Sequence, residues 1–159
     1  MPDLSEQAFN SSTDGRPSEI RRTAMDLLAR REHSRRELKQ KLKKRFRDDA
    51  LIEEQLDTLA EENLQSDTRY AESFLRQRFN RGHGPVRIRQ EMRQKGIPDS
   101  DIQSVFASGE YDWYTSAEEV LLRKFGPEPP EDIKEKARRA RFMQYRGFES
   151  EHYQHILEH

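Results

Sequence analysis

The 159-residue sequence predicts an all-α fold, an elongated tandem array of three three-helix repeats. Three observations support this prediction. Apolar residues recur at helical spacing, short motifs return at intervals of about 46 to 51 residues, and patterns typical of β-strands are nearly absent. Only 32% of the residues are hydrophobic and 37% are charged, so narrow apolar stripes on amphipathic helices must supply the core.

The repeat is visible in three nine-residue stretches, AMDLLARRE from Ala24, AESFLRQRF from Ala71 and AEEVLLRKF from Ala117. Each begins with a small residue and has apolar residues three and four positions later, which places all three on one helix face. A second pair, MRQKGIPDSDIQSVF from Met92 and MQYRGFESEHYQHIL from Met143, shares a glycine followed by an apolar residue. We therefore predict a disordered tail at residues 1–18 and repeats at residues 19–65, 66–109 and 110–159.

Local signals divide each repeat into three helices. In the first repeat, SRRE from Ser34 predicts a capping box at the start of the second helix. In the second repeat, Ser66 can cap the first helix, and Gly84 with Pro85 suits the N-cap and first position of the second helix. Asp99 or Asp101 can begin its third helix. In the third repeat, the proline-rich FGPEPPED, residues 125–132, predicts a loop.

The stretch RGHGPVRIRQEMRQKGI, residues 81–97, has the glycines that phosphate-binding loops use. Such loops follow a strand, however, and here the preceding element is the helical pattern YAESFLRQRF. We interpret the glycines as joints, because Gly96 before Ile97 and Gly147 before Phe148 are typical of a Schellman helix ending. Backbone amides after Gly84 could still meet a phosphate, as at any helix N-terminus.

Composition excludes several classes of protein. The sequence has no cysteine, which excludes disulfides and thiolate chemistry, and no apolar run approaches the roughly 20 residues of a membrane span. The N-terminus lacks a secretory signal, so we expect a cytoplasmic protein without membrane contact. The net charge of −1 conceals basic stretches, which hold 12 bases and 3 acids at residues 21–47, 8 and 2 at 68–98, and 5 and 0 at 136–147.

No pattern indicates an enzyme, a metal or a cofactor. His152 and His155 are three residues apart on a predicted helix but have no further ligand in view, so we favour a solvated surface. Adjacent glutamates such as Glu53 and Glu54 diverge around a helix instead of converging on one bond. No serine lies in a nucleophile-elbow sequence. The final LEH, which includes His159, could be a cloning remnant.

Basic residues recur on the flanks of the second helices. One flank in the first repeat carries Arg36, Lys39, Lys43 and Arg47, and Arg89 and Arg93 occupy similar positions in the second. The third repeat lacks this ridge, but one position is basic in all three repeats: Arg45, Lys95 and Arg146. One ridge alone favours a solvated face, whereas repetition favours a surface for a polyanion or an acidic protein. Arg76 and Arg81 adjoin it, and Trp113 and Tyr114 fit either packing or contact.

The stretch RYAESFLRQRFNRGHGPVRIRQEMRQKGI, residues 69–97, closely resembles the central motif of the RecX family, bacterial regulators of the RecA recombinase. AMDLLARREHSRRELKQKL in the first repeat and RARFMQYRGF in the last resemble the flanking segments of that family. The resemblance implies three tandem three-helix repeats in a curved, right-handed-twisted array, no catalytic site, and binding in the groove of the RecA filament on single-stranded DNA. The first repeat departs from the family pattern, since Arg45 stands where a glycine usually precedes the apolar residue.

The resemblance therefore implies a non-enzymatic inhibitor of the ATPase and strand-exchange activities of RecA. Its expected partners are the RecA filament, single-stranded DNA within it and duplex DNA, and the expected state is a monomer. A contact set follows: Arg36, Lys39, Lys43, Arg89 and Arg93, with Arg76 and Arg81 beside it and Arg45, Lys95 and Arg146 as lesser members. Two alternatives stay open, an autonomous helix-turn-helix-like binder of duplex DNA and an adaptor for another acidic protein.

Overall fold

The computed structural model describes residues 16–158, and these residues form helices joined by short turns without any strand. None of these helices has both the length and the apolar character that a membrane span requires. Most of the predicted tail, as well as His159, lies outside the described residues. The helices are α1 Pro17–Arg30, α2 Arg35–Lys43, α3 Asp49–Glu61, α4 Asp67–Asn80, α5 Pro85–Gln94, α6 Asp99–Ser108, α7 Trp113–Phe125, α8 Ile133–Arg146 and α9 Ser150–Leu157.

The chain divides into two compact units. Of the described residues, the first contains residues 16–71 and Lys95–Asp101, and the second contains Glu72–Gln94 and residues 102–158. Each unit therefore includes part of the second repeat. All-α structure with three helices in each of three repeats agrees with the sequence prediction. The first helix begins at Pro17, two residues before the predicted start of the first repeat.

The core of the first repeat consists of the apolar stripes of α1, α2 and α3. Spacing of three or four residues puts the stripe of each helix on one face, and burial of that face stabilises the helices. Ser34 begins α2 with the predicted capping box, in which its side chain accepts from the backbone N–H of Glu37. The buried residues are Ile20, Ala24, Leu38, Leu42, Phe46, Ile52, Leu56 and Leu59.

The second helix ends differently in the first and third repeats. Helix α8 ends at Gly147, whose φ is 97°, and the Phe148 N–H donates to the Met143 carbonyl at 3.1 Å, as in a Schellman motif. After α2, Lys44 keeps a right-handed φ of −71°, and the Phe46 N–H donates to the Leu42 carbonyl at 2.8 Å. No left-handed residue is needed there, which explains how the first repeat dispenses with the glycine.

In the second repeat, the signals read from the sequence define the helix ends. The Arg69 N–H donates to Ser66 Oγ at 3.1 Å, so Ser66 caps α4 as predicted. The turn after α4 contains Gly82, whose φ is 81°, and the His83 N–H donates to the Arg78 carbonyl at 3.0 Å. Pro85 is the first residue of α5, and Asp99 is the first of α6. The buried residues of α5 and α6 include Ile88, Met92, Ile102 and Val105.

The third repeat forms its own core around α7, α8 and α9. Asp112 and Asp132 cap α7 and α8 by accepting from the backbone N–H groups of Thr115 and Glu135. Trp113 packs in the second unit, since its ring lies 5.2 Å from the Phe79 ring. The predicted proline-rich loop joins α7 to α8. The buried core residues are Ala117, Val120, Leu121, Met143, Phe148, Tyr153 and Leu157.

The start of α5 is joined to the end of α8 by backbone hydrogen bonds. The Gly84 N–H donates to the Arg146 carbonyl at 2.8 Å, and the Val86 N–H donates to the Gly147 carbonyl at 2.9 Å. A Cβ atom on Gly84 would lie 2.3 Å from the carbonyl carbon of Gly147, so only glycine permits this approach. Two backbone N–H groups at the start of α5 thus already donate to protein carbonyls, which leaves few N–H groups there for a phosphate.

The first unit contains a similar joint that uses a side chain. Ser34 Oγ donates to the Lys95 carbonyl at 2.8 Å, just before Gly96. A Cβ atom on Gly96 would lie 2.7 Å from Arg36 Nε, and the φ of Gly96 is 82°. The glycines singled out in the sequence are therefore joints, as predicted.

Candidate functional site

The predicted basic flank of α2 is matched by carboxylates of α3. Lys39 Nζ lies 2.5 Å from Glu53 Oε2, and Lys43 Nζ lies 3.6 Å from Asp49 Oδ2. Both side chains keep substantial exposure, with relative exposures of 38% for Lys39 and 47% for Lys43. An incoming anion would therefore compete with carboxylates for these two lysines.

Arg35 strengthens this pairing, although the sequence analysis did not single it out. Its Nη2 donates to Glu53 Oε1 at 2.9 Å and to Asp57 Oδ1 at 2.7 Å. Hydrogen bonds from Lys39 and then Arg35 lower the pKa of Glu53. The acidic run that follows α2 in the sequence was the signal for this network, because α2 and α3 are antiparallel neighbours in a helical hairpin.

On α5 the predicted contact residues have different surroundings. The guanidinium carbon of Arg89 lies 4.2 Å from the centre of the Phe106 ring, and Arg89 forms no ion pair with a described residue. Arg93 is exposed on the same helix. Arg76 and Arg81 are exposed as well, and their guanidinium groups have no hydrogen-bond or carboxylate partner within residues 16–158. Arg76, Arg81 and Arg89 therefore keep their charge available to a ligand.

The lesser candidates of the first unit are partly engaged. Arg45 is exposed, and its Nη1 donates to Thr23 Oγ1 at 3.3 Å. Lys95 Nζ lies 3.5 Å from Glu37 Oε2. Arg36 is exposed, and its side chain lies over Gly96. The role of these three residues as partner contacts stays a prediction.

Arg146 is anchored to the protein itself. Its Nε donates to the Gly82 carbonyl at 3.2 Å, and its Nη2 donates to the Arg81 carbonyl at 2.9 Å. Burial lowers the pKa of Arg146, and the positive charges of Arg87 and Arg123 lower it further. The repeat alignment placed Arg146 beside Arg45 and Lys95, but this arginine ties the end of α8 to the turn after α4.

Sequence reasoning missed three residues near this turn. Arg87 of α5 has its guanidinium carbon 5.6 Å from the centre of the Tyr145 ring, and Tyr145 is 75% exposed. Arg123 of α7 is exposed and close enough to Arg146 to affect its charge. Arg123 lies inside an acidic stretch of the sequence, so no local signal pointed to it. Its neighbourhood is created only by the packing of α7 and α8.

A buried polar pair lies next to the same arginines. Nδ1 of His83 and Oε1 of Glu91 are 3.9 Å apart, and neither atom has a hydrogen-bond partner within the described residues. Burial lowers the pKa of His83, as do the positive charges of Arg87, Arg146 and Arg78, while the Glu91 carboxylate opposes them. The imidazole is therefore held neutral at neutral pH.

The two histidines of α9 have separate surroundings. His152 is buried, and its Nδ1 accepts from the Glu149 N–H at 3.3 Å. Ligand atoms of Glu149, Glu151 and His152 lie within 4.8 Å of one another, a group without His155. Both glutamates are exposed, and the histidine nitrogen next to them is already used at the helix start, so the group has the character of a helix cap.

Comparison with known protein families gives three matches along the chain. Residues 21–59 match the first three-helix domain of RecX, residues 66–105 the second, and residues 110–157 the third. The chain belongs to the RecX family. The Regulatory protein RecX of Pseudomonas entomophila (strain L48) is 52% identical over 135 residues, which cover 85% of this chain and 87% of that protein. That of Pseudomonas putida (strain GB-1) is 51% identical over 132 residues, which cover 83% and 85%.

Solved RecX structures share the fold. A crystal structure of regulatory protein RecX matches with a TM-score of 0.78 at 24% identity, over 100% of this chain and 79% of the other. The crystal structure of RecX from Lactobacillus salivarius matches with a TM-score of 0.74 at 21% identity, over 89% and 94%. The resemblance to RecX and the all-α array of three repeats predicted from the sequence are thus confirmed, and the protein is a RecX-type regulator.

Proposed function

We propose that this RecX-family protein binds the RecA filament on single-stranded DNA in the cytoplasm and inhibits the ATPase and strand-exchange activities of RecA. It does so by binding, without catalysing a reaction. The observation that carries the proposal is the family match, which extends over all three three-helix domains. The relatives that share about half of its residues are named regulatory proteins.

The charged surfaces support a polyanionic target. The Arg89 guanidinium group lies over the Phe106 ring. Arg76 and Arg81 are exposed and form no ion pair with a carboxylate in the described part of the chain. A cation over an aromatic ring keeps its full charge, whereas a paired lysine has part of its charge offset. We therefore propose that residues of α4 and α5 contribute more to binding than the paired Lys39 and Lys43.

The proposed contact set remains the one read from the sequence. Contacts with DNA phosphates would make the affinity fall with salt, by roughly 0.7 logarithmic units per contact for each tenfold rise in salt on a single strand. We further propose a monomer with repeats at residues 19–65, 66–109 and 110–159. The set is Arg36, Lys39, Lys43, Arg89 and Arg93, then Arg76 and Arg81, with Arg45, Lys95 and Arg146 as lesser members.

The test measures the single-strand-dependent ATPase of RecA while this protein is titrated in at fixed salt. The parent protein should inhibit at well below one copy per RecA. The double variant Arg89→Glu with Arg93→Glu should bind the filament more weakly and need a higher concentration. Its helicity and melting temperature should stay close to those of the parent, because neither side chain belongs to the core.

A matched control carries the same change of charge elsewhere. Arg22 and Arg30 are exposed on α1, and Arg22→Glu with Arg30→Glu should inhibit as the parent does. Inhibition that is absent even at stoichiometric excess would refute the RecA proposal. Saturable, sequence-preferring binding to naked duplex DNA in that case would support the alternative of an autonomous DNA-binding protein.

A further inference from the structure

We propose that Arg81, Arg87, Arg123 and Tyr145 form a binding site for a single-stranded nucleic acid, with phosphates on the arginines and one base on the tyrosine ring. The site deepens the proposed function, on which it rests, by naming a direct contact between this chain and the strand. We call these four residues the arginine–tyrosine surface. All four belong to the second unit.

Arg146 brings the elements of this surface together. It donates to the carbonyls of Arg81 and Gly82, which fixes the turn after α4 against the end of α8. A Cβ atom on Gly82 would lie 2.9 Å from Val120 Cγ2, so the turn also touches α7 one helical turn before Arg123. The turn after α4, the end of α8 and the part of α7 next to Arg123 therefore meet at one place, although they are distant in sequence.

The contact between α5 and α8 positions the remaining members. A Cβ atom on Gly147 would lie 2.3 Å from the Cβ atom of Arg87, so the backbone at the end of α8 lies directly under this arginine. Tyr145 precedes that joint by two residues, and the Arg87 guanidinium carbon lies 5.6 Å from the centre of its ring. The guanidinium group of Arg87 is therefore held over the ring of Tyr145.

The positive charges of this region are poorly compensated. Within residues 16–158, Arg81, Arg123 and Arg146 form no ion pair, and Arg87 has only the Glu91 carboxylate at 4.0 Å from its Nε. Arg87 and Arg123 also lower the pKa of Arg146, which shows that like charges lie close together. Such crowding destabilises the free protein, and bound phosphate groups would relieve it through charge-assisted hydrogen bonds.

Tyr145 supplies a surface that phosphate binding alone does not need. Its side chain is 75% exposed, and within the described residues its hydroxyl has no hydrogen-bond partner and its ring has no aromatic neighbour. A nucleic-acid base stacks on such a ring with little dependence on sequence, and a neighbouring arginine adds a cation–π contribution. Bases are free to stack in this way in a single strand, whereas in a duplex they are already stacked.

The test compares binding of three fluorescent ligands by anisotropy in the absence of RecA. The ligands are oligo(dT), an abasic strand of equal length, and a duplex of equal length. Tyr145→Ala should weaken oligo(dT) binding by about 5- to 150-fold, as expected for the loss of one stacked base, and should leave abasic-strand binding unchanged. Tyr145→Phe, which keeps the ring, should bind as the parent does.

Tyr114→Ala is the matched control. Tyr114 is also an exposed tyrosine of the third repeat, but its hydroxyl lies 3.3 Å from the Glu151 carboxylate, so it faces an acidic neighbourhood. This variant should bind all three ligands as the parent does. Arg81→Ala with Arg123→Ala should instead weaken both single strands and reduce the salt slope by roughly 0.7 for each lost phosphate contact.

Three results would overturn the site. They are unchanged oligo(dT) binding by Tyr145→Ala, equal losses on oligo(dT) and the abasic strand, and a Tyr145-dependent duplex affinity equal to that for oligo(dT). The RecA ATPase assay separates this failure from failure of the proposed function. Parent protein that inhibits RecA without Tyr145-dependent strand binding refutes only the site, and strand binding without inhibition refutes only the RecA proposal.

Discussion

The two units of the molecule place their cations in different surroundings. In the first unit, Lys39 and Arg35 pair with the carboxylates of α3. In the second, two guanidinium groups of α4 and α5 lie over rings, Arg89 at 4.2 Å from the Phe106 centre and Arg78 at 4.5 Å from the Phe74 centre, whereas Arg138 and Arg139 of α8 pair with Glu135. Residues 21–47 hold 12 bases and residues 68–98 hold 8, yet the carboxylates of α3 offset part of the positive charge in the first unit, so we expect the second unit to attract a polyanion more strongly.

The contacts that join neighbouring repeats also differ between the two units. Ser34 caps its own helix and also donates to the Lys95 carbonyl in the first unit. Gly84 has no side chain, so the carbonyls of Arg146 and Gly147 receive the free amides of α5 in the second unit. The second joint is closer because it is made by backbone, and it has no space for an added methyl group.

The largest expected effect is on this second joint. Gly84→Ala should lower the free energy of unfolding by about 3 kcal/mol, since the new Cβ atom would lie 2.3 Å from backbone that cannot rotate away. Ser34→Ala should cost about 1 kcal/mol, typical of a lost N-cap. Urea unfolding of both variants measures the difference. A smaller loss for Gly84→Ala than for Ser34→Ala would contradict the contrast between the joints.

A second prediction compares the contributions to stability of Arg146 and Arg45, which occupy the same aligned position of two repeats. Arg146→Ala should cost about 2 kcal/mol, because it removes charged hydrogen bonds to the carbonyls of Arg81 and Gly82. Arg45→Ala should change the stability by less than about 0.5 kcal/mol, because Arg45 is exposed. Thermal unfolding of the two variants tests this. Equal losses would mean that the aligned arginines have the same structural role after all.

Local chemistry in the sequence predicted most of the fold. The capping box at Ser34, Pro85 at the first position of α5 and the glycine endings before Ile97 and Phe148 depend on neighbours within a few residues. Such signals need no knowledge of tertiary packing. The apolar stripes were equally visible, since helical periodicity alone determines which residues share a face.

The partners of each basic side chain could not be predicted from such local signals. Whether Lys39 is paired depends on the packing of α3 beside α2. Likewise, Arg123 lies near Arg146 only because α7 packs beside α8. The sequence analysis also grouped Arg146 with Arg45 by repeat alignment, although only Arg146 holds a turn. Tyr145 had no signal, because an aromatic residue beside a helix stripe is more often packed than exposed.

The pairing in the first unit predicts a smaller effect on binding. Glu53→Gln removes the carboxylate that faces Lys39 and Arg35, so it should raise the affinity for oligo(dT) by roughly twofold while costing about 0.5 kcal/mol of stability. Glu61→Gln makes the same change of charge on an exposed residue of α3 that has no partner within the described chain. Anisotropy titrations should show a larger gain for Glu53→Gln, and equal gains would assign the effect to net charge alone.

The smallest expected effect is a pH dependence in the second unit, where His83 lies partly buried near Glu91 and three arginines. Burial and the charges of Arg87, Arg146 and Arg78 lower its pKa in the folded protein, while an unfolded histidine titrates near its ordinary value of about 6.5. The unfolded chain therefore takes up a proton first as the pH falls below 6.5. Stability is fully present above that pH and declines below it.

His83→Gln should reduce this decline, measured as the change in urea midpoint between pH 7 and pH 5. Burial also lowers the pKa of His33 in the first unit, so this histidine contributes a decline of the same sign that the variant retains. His33→Gln with His83→Gln should then remove most of the dependence in this window, because the carboxylates with lowered pKa titrate at lower pH. An unchanged decline in the double variant would show that neither imidazole is held neutral by its surroundings.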